Sequence, residues 1–213
     1  MSSLTFLFAL IEFSFMKIFL VRHGETDYGK KHFTTGHIDI PLNMTGKKEA
    51  QATTEFLKGR NIVKIFSSSL SRASETANII ASEFDLPVIE SDELMEHTSG
   101  KLDGVSIKVF LDKLKSVGDF NKMILQSGGE RWNVFTERVW NKFLEIVTKN
   151  KDEGNILIVT HGGVTRTIFS EIFGSPFLKV LSQGNCCINV ISYDKEKEDM
   201  FRVELVNYSY HIN

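Results

Sequence analysis

Two kinds of hydrophobic pattern alternate along the chain. Apolar runs of strand length lie at 18–21, 62–66, 156–159, 188–191 and 201–206, and runs this short, bounded by polar or glycine-containing stretches, predict β-strands. Between them, apolar residues recur at three- and four-residue spacing, which predicts helices. Thr45 reads as the cap of a helix through Ala50, Phe56 and Leu57, with Gly59 placed to end it. Residues 71–84 carry Ala73, Ala77, Ile80, Ala81 and Phe84 on one face, and 130–148 carry Val134, Phe135, Val139, Phe143 and Ile146 at similar intervals. A further helix, 163–173, follows a strand after a turn of two glycines. Strands alternating with helices predict the α/β class, a three-layer α/β/α sandwich around a mostly parallel central sheet. Residues 97–129 lack a clear strand and read as a small helical cap, while the charged stretches 151–154 and 194–199 read as solvated turns.

The first 15 residues stand apart. The apolar run from Leu4 to Ile11 is broken by Glu12 and is too short to span a bilayer. It also has neither the basic flank nor the small-residue cleavage site of a secretion signal. Residues 1–15 therefore read as an extension ahead of a natural start at Met16, and 16–213 as one domain, a length that one core with a cap can organise. The two cysteines, Cys186 and Cys187, are adjacent, so they form no disulfide framework and match no metal spacing. They read as small buried side chains of a cytoplasmic protein. Lys plus Arg is 25 and Asp plus Glu is 27, a net charge of −2. That excludes the broad cationic surface of non-specific nucleic-acid binding, and no membrane partner is expected.

Two of the apolar runs end alike. Residues 17–21 deliver Arg22-His23-Gly24-Glu25-Thr26, and 156–160 deliver His161-Gly162-Gly163. In an α/β sheet the carboxyl ends of strands are where ligands bind. Glycine lets the backbone turn and offers N–H groups to an anion, and arginine supplies a planar fork matched to phosphate oxygens. A neutral imidazole can accept a phosphoryl group. One such histidine is as well explained by strand capping; two with the same layout favour chemistry. Arg72, at a helix start, is by itself most simply a surface ion pair. Glu96 shares its acidic stretch with Asp92 and Glu93, so local sequence alone does not say which carboxylate acts.

The run Leu20-Val21-Arg22-His23-Gly24-Glu25-Thr26 resembles the signature of the histidine phosphatase superfamily, which includes the phosphoglycerate mutases. Further segments match in order: 36–42 followed by Thr45-Gly46, then 67–77 around Arg72, Glu96 with Gly100 and Gly104, 127–130, and 159–163 around His161. The resemblance covers nearly everything after Met16. It implies His23 as the phosphoryl acceptor, Arg22, Arg72 and His161 in the phosphate pocket, and Glu96 as the general acid. It also implies Thr26, Gly29, Thr35, Gly36 and Gly162 as substrate-binding positions, with no metal and no cofactor. One departure stands out: where the family commonly has an asparagine donor to phosphate, this chain has Gly29.

Within the family, phosphatases pass the phosphoryl group to water and mutases return it to the substrate. Cofactor-dependent mutases have a long insertion after the acid and a closing C-terminal tail. Here 33 residues (97–129) separate Glu96 from the helix near Glu130, and the tail after Val206 is short. An open site favours hydrolysis. The expectation is thus a phosphomonoesterase acting on a small phosphorylated metabolite through a phosphohistidine, as a monomer or homodimer. The alternatives are a cofactor-dependent phosphoglycerate mutase and a non-catalytic phospho-ligand binding protein. Lys101, Lys108, Lys113 and Lys115 in the cap either meet a second anionic group or, as favoured, line a solvated helix. His32 and His211 read as surface residues and His97 as a rim residue.

Overall fold

The computed structural model describes residues 15–175, 181–197 and 201–212. The extension expected over 1–15 lies outside the described residues up to position 14; Phe15 opens the first strand, where it pairs with Asp194. Six strands form one sheet: β1 (Phe15–Arg22), β2 (Ile62–Ser68), β3 (Val88–Ser91), β4 (Asn155–Thr160), β5 (Ile188–Asp194) and β6 (Phe201–Tyr208). Their order is β3-β2-β4-β1-β5-β6. The pairs β3–β2, β2–β4 and β4–β1 are parallel, while β1–β5 and β5–β6 are antiparallel. Only β5 therefore runs against the rest.

Successive residues of a strand point to opposite faces, and β1 shows why its run is continuously apolar. Ile18 and Leu20 join Ile156 and Ile158 in a core with Phe135, Val139 and Phe143 of α6 (Trp132–Asn150) and Ile168 and Phe169 of α7 (Gly162–Phe173). Phe19 and Val21 face the other way, against Leu57 of α2 (Met44–Leu57) and Ala73, Ala77 and Ile80 of α3 (Ser71–Phe84). Helices thus cover both faces, the three-layer arrangement expected. The remaining helices are α1 (Asp27–Lys30), a single turn after β1, and α4 (Ile107–Val117) with α5 (Phe120–Gln126), which make up the cap within 97–129.

Two elements differ from the sequence reading. The edge strand β3 follows Pro87 and has only two apolar residues, Val88 and Ile89, before the polar Glu90 and Ser91, so it presents no long apolar run. The cap of α2 is Asn43 and not Thr45: Asn43 Oδ1 accepts from Gly46 N at 2.9 Å, while its Nδ2 donates to Glu25 Oε1 at 3.0 Å. Asn43 therefore caps the helix and ties it to the turn that follows His23.

There the backbone of the turn after β1 nearly touches that of α2. A Cβ on Gly24 would lie 2.5 Å from Gly46 O, and one on Gly46 would lie 2.3 Å from Glu25 O. Alanine in a helix interior normally outperforms glycine by about 1 kcal/mol, but here the collision is with main chain and overpacking costs about 1–3 kcal/mol. Gly46→Ala is therefore expected to lower stability; a thermal unfolding midpoint equal to or above wild type would refute this.

Candidate active site

The parallel pairing of β1 with β4 runs Ile18↔Ile156 through Arg22↔Thr160, and His23 N then donates to Thr160 O at 2.9 Å. Both strands thus end at the same level, and the next residue of each is a histidine. The His23 and His161 ring centroids are 5.2 Å apart, with both side chains buried.

His23 Nδ1 lies 2.8 Å from Gly24 O. A carbonyl only accepts, so the imidazole proton sits on Nδ1 and the lone pair is left on Nε2. Burial first, then the positive charges of Arg22 and Arg72, hold the His23 pKa well below its ordinary value, so the ring is neutral at pH 7. His161 is lowered well below its usual range by burial and by Arg72, His23, Arg22 and His37. Its Nε2 is 2.8 Å from Ser68 Oγ, which already accepts from Leu70 N. The hydroxyl proton is free to be donated to Nε2, which leaves His161 Nδ1–H as a donor.

Arg72 is fully buried at the start of α3. Its Nη1 and Nη2 donate to Ile38 O at 3.0 Å and Gly36 O at 2.8 Å. Burial brings its pKa down to about 10, with Glu96 and Asp39 acting the other way, so it stays charged at neutral pH. Arg22 Nη1 donates to Gln183 O at 2.5 Å. Among the described residues, Arg22 Nε, Arg72 Nε and His161 Nδ1 are buried without a hydrogen-bond partner. Buried donors are nearly always satisfied, so three such groups beside one histidine are able to receive an anion.

Glu96 meets the first turn of α7. Its Oε2 accepts from Gly163 N at 2.9 Å and its Oε1 from His97 N at 2.9 Å. A Cβ on Gly163 would lie 2.0 Å from Glu96 Oε1, so only glycine lets the carboxylate reach the first turn of α7. His37 Nε2 donates to Glu96 O at 2.7 Å. Arg138 of α6 secures the preceding residues, donating to Glu93 O at 2.8 Å and Met95 O at 3.1 Å while pairing with Glu130.

Of the other expected positions, Thr26 is buried and caps α1 by accepting from Gly29 N at 3.1 Å. The Gly29 amide is therefore committed to that cap, while the Thr26 hydroxyl proton stays available. Thr35 and Gly36 line a cavity of about 310 Å³ with Glu96, Gly163 and Arg166. Gly162 packs near Arg22: a Cβ there would lie 3.8 Å from Arg22 Nε. Lys101, Lys108, Lys113 and Lys115 are exposed and none lines that cavity. His97 lines that cavity as well, but from a buried position among Phe120, Trp132 and Phe135, its Nε2 donating to Glu130 O. His211, expected at the surface, stacks on Tyr208 with its Nε2 3.0 Å from Thr53 Oγ1. His32 is exposed, as expected.

Sequence reasoning missed Ser68, Gln183, Arg138 and Arg166. Arg166 alone had a readable signal, because helical spacing puts it one turn beyond Gly162 and Gly163. Among the described residues, no three His, Cys, Asp or Glu side chains cluster so as to hold a metal ion, and no helix is long and apolar enough to cross a membrane.

The chain is similar to several known proteins. The chain is 31% identical over 195 residues to the uncharacterized phosphatase PhoE of Bacillus subtilis (strain 168), covering 91% of this chain and 95% of the relative. It is 34% identical over 195 residues to the metal-independent phosphoserine phosphatase of Arabidopsis thaliana, covering 88% and 80%. The solved structure of Bacillus stearothermophilus YhfR has the same fold, with a TM-score of 0.83 over 93% of this chain and 100% of that one at 23% identity. The family model for the histidine phosphatase superfamily (branch 1) matches residues 18–207. With the paired histidines standing within that span, the chain belongs to branch 1 of the histidine phosphatase superfamily.

Proposed function

We propose that this protein is a phosphomonoesterase that hydrolyses a small phosphorylated metabolite through a phosphohistidine on His23. The observation that carries the reading is the group of three buried, unpartnered nitrogens (Arg22 Nε, Arg72 Nε and His161 Nδ1) beside a neutral His23. Phosphoryl transfer needs positioning and charge stabilisation more than covalent chemistry.

In the first step, the His23 Nε2 lone pair forms a bond to phosphorus as the ester P–O bond breaks. The leaving alkoxide takes a proton from Glu96, and the two guanidiniums and His161 balance the charge on the non-bridging oxygens. In the second step water attacks phosphorus, gives its proton to the Glu96 carboxylate, and the P–N bond breaks to release inorganic phosphate. The thin cap supports water over a second substrate hydroxyl as acceptor: α4 has no buried residue, and Ile107, Val109 and Leu111 face solvent.

His23→Ala is expected to lose at least about a thousandfold in phosphate release, and Arg72→Met about a hundred- to a thousandfold. Wild type should take up an acid-labile, base-stable phosphoryl label that His23→Ala lacks. Full turnover by His23→Ala, or interconversion of 2- and 3-phosphoglycerate outpacing phosphate release, would overturn the reading.

The nucleophile must also be neutral where the enzyme works. In an NMR titration, imidazole signals assigned through His23→Asn and His161→Asn should show midpoints well below 6.5. A midpoint at or above 6.5 for His23 would mean that protonation blocks the lone pair near neutral pH.

A further inference from the structure

The cavity beside Glu96 contains a charge that the steps above do not use. Arg166 lies on α7, one turn beyond Gly163, and lines the cavity with Glu96 and the aromatic side chains Phe110, Phe120 and Trp132. The other charged groups of that wall are committed. Glu96 accepts from Gly163 N and His97 N. Asp103 accepts from Thr98 Oγ1 at 2.6 Å, Ser99 N at 2.8 Å and His37 N at 3.1 Å. Arg166 makes no ion pair among the described residues, and its Nε is buried without a partner. Burial is the main cause of the lowered pKa of Arg22, and the charge of Arg166 adds to it against the pull of Cys187 and Glu96, so the two guanidiniums are within electrostatic reach of one another. A half-buried guanidinium with its fork unfilled keeps planar, bidentate donor capacity for an anion that enters the cavity.

We propose that Arg166 is a specificity subsite for a second anionic group on the substrate, a carboxylate or a further phosphate on the leaving-group side of the ester. This rests on the phosphomonoesterase reading and narrows its substrate class. Glu96 stands where the leaving oxygen is protonated, and it shares the cavity wall with Arg166, so the second anion sits a few bonds from the scissile oxygen. The exposed lysines of α4, by contrast, lie outside the cavity and contribute no such contact. A charge-assisted, fork-shaped contact is roughly twice as strong as a neutral hydrogen bond, and truncating it leaves the substrate anion in a site without its partner.

The test compares two substrates of nearly equal size, 3-phosphoglycerate and glycerol 3-phosphate, which differ in a carboxylate against a hydroxymethyl group. Fructose 1,6-bisphosphate against fructose 1-phosphate does the same for a second phosphate. Wild type should prefer the doubly anionic member of one pair. Arg166→Gln should lower that preference ratio in kcat/KM by about tenfold to a hundredfold, chiefly through KM, and Arg166→Lys should restore part of it. The pair that responds identifies the anion. An unchanged ratio in both pairs, or an equal loss on both members of each pair, would overturn the subsite. Release of 4-nitrophenol from 4-nitrophenyl phosphate by the same wild-type protein separates this from failure of the phosphatase reading. If that hydrolysis is absent, calorimetric binding of 3-phosphoglycerate and fructose 1,6-bisphosphate to wild type and Arg166→Gln still decides: equal affinity for both overturns the subsite, and weaker binding of either by the variant sustains it.

Discussion

The register of one strand pair governs this molecule. Because β1 and β4 run parallel and in step, Arg22 sits opposite Thr160 and the chain leaves both strands at the same height. His23 and His161 are the first residues past that point, and their rings meet at 5.2 Å without any loop having to bring them together. A slip of one residue would turn every side chain of β1 to the opposite face, burying Phe19 and Val21 against α6 and α7. The apolar alternation that specifies the two cores therefore also specifies the site. The glycines follow from the same constraint, since Gly24 and Gly46 let the turn after β1 press onto α2, and Gly163 lets Glu96 reach the first turn of α7.

A chain with a net charge of −2 contains a strongly cationic interior. Arg22 and Arg72 are held by backbone carbonyls at Gln183, Gly36 and Ile38, not by carboxylates. Carbonyls orient a guanidinium without neutralising it, so the charge is kept for something that enters later. Removing such groups from water costs several kcal/mol each. That cost falls mainly on the histidines, which give up their protons, while Arg72 remains ionised with a pKa near 10. One cluster thus holds neutral nucleophilic nitrogen and fixed positive charge side by side.

The parts of the fold that are buried on two faces were legible in the sequence, because burial writes itself as an uninterrupted apolar run. Helix α3 was legible to the residue, since its small apolar face repeats cleanly over Ser71–Phe84. Strand β3 was not, because an edge pairs on one side only and is free to be polar. Asn43 outcompeted Thr45 as the cap through a second bond to Glu25, a contact that no local pattern encodes. The candidate site divides in the same way. His23 and His161 follow buried strands and were readable, and Arg72, Glu96 and Gly36 came through family resemblance. Ser68 and Gln183 reach the site through hydrogen bonds to partners about 90 and 160 positions away. The packing of His211 on Tyr208 and Phe56, and of His97 among Phe120, Trp132 and Phe135, is invisible in the sequence because those aromatic neighbours are brought in by the fold.

The one reversed strand has a consequence for the order in which the molecule comes into being. Strand β5 lies against β1, and the segment leading into it supplies the carbonyls of Gln183 and Cys187 that receive Arg22 Nη1 and Arg22 N. Residue 22 is thus fixed by residues that emerge from the ribosome some 160 positions later. Until β5 docks, neither of those carbonyls is in place to receive the arginine. Contacts this distant in sequence close late and slowly. A truncated or still-growing chain consequently has no finished site, and the segment from Gln183 into β5 is the condition on which the end of β1 takes its final form.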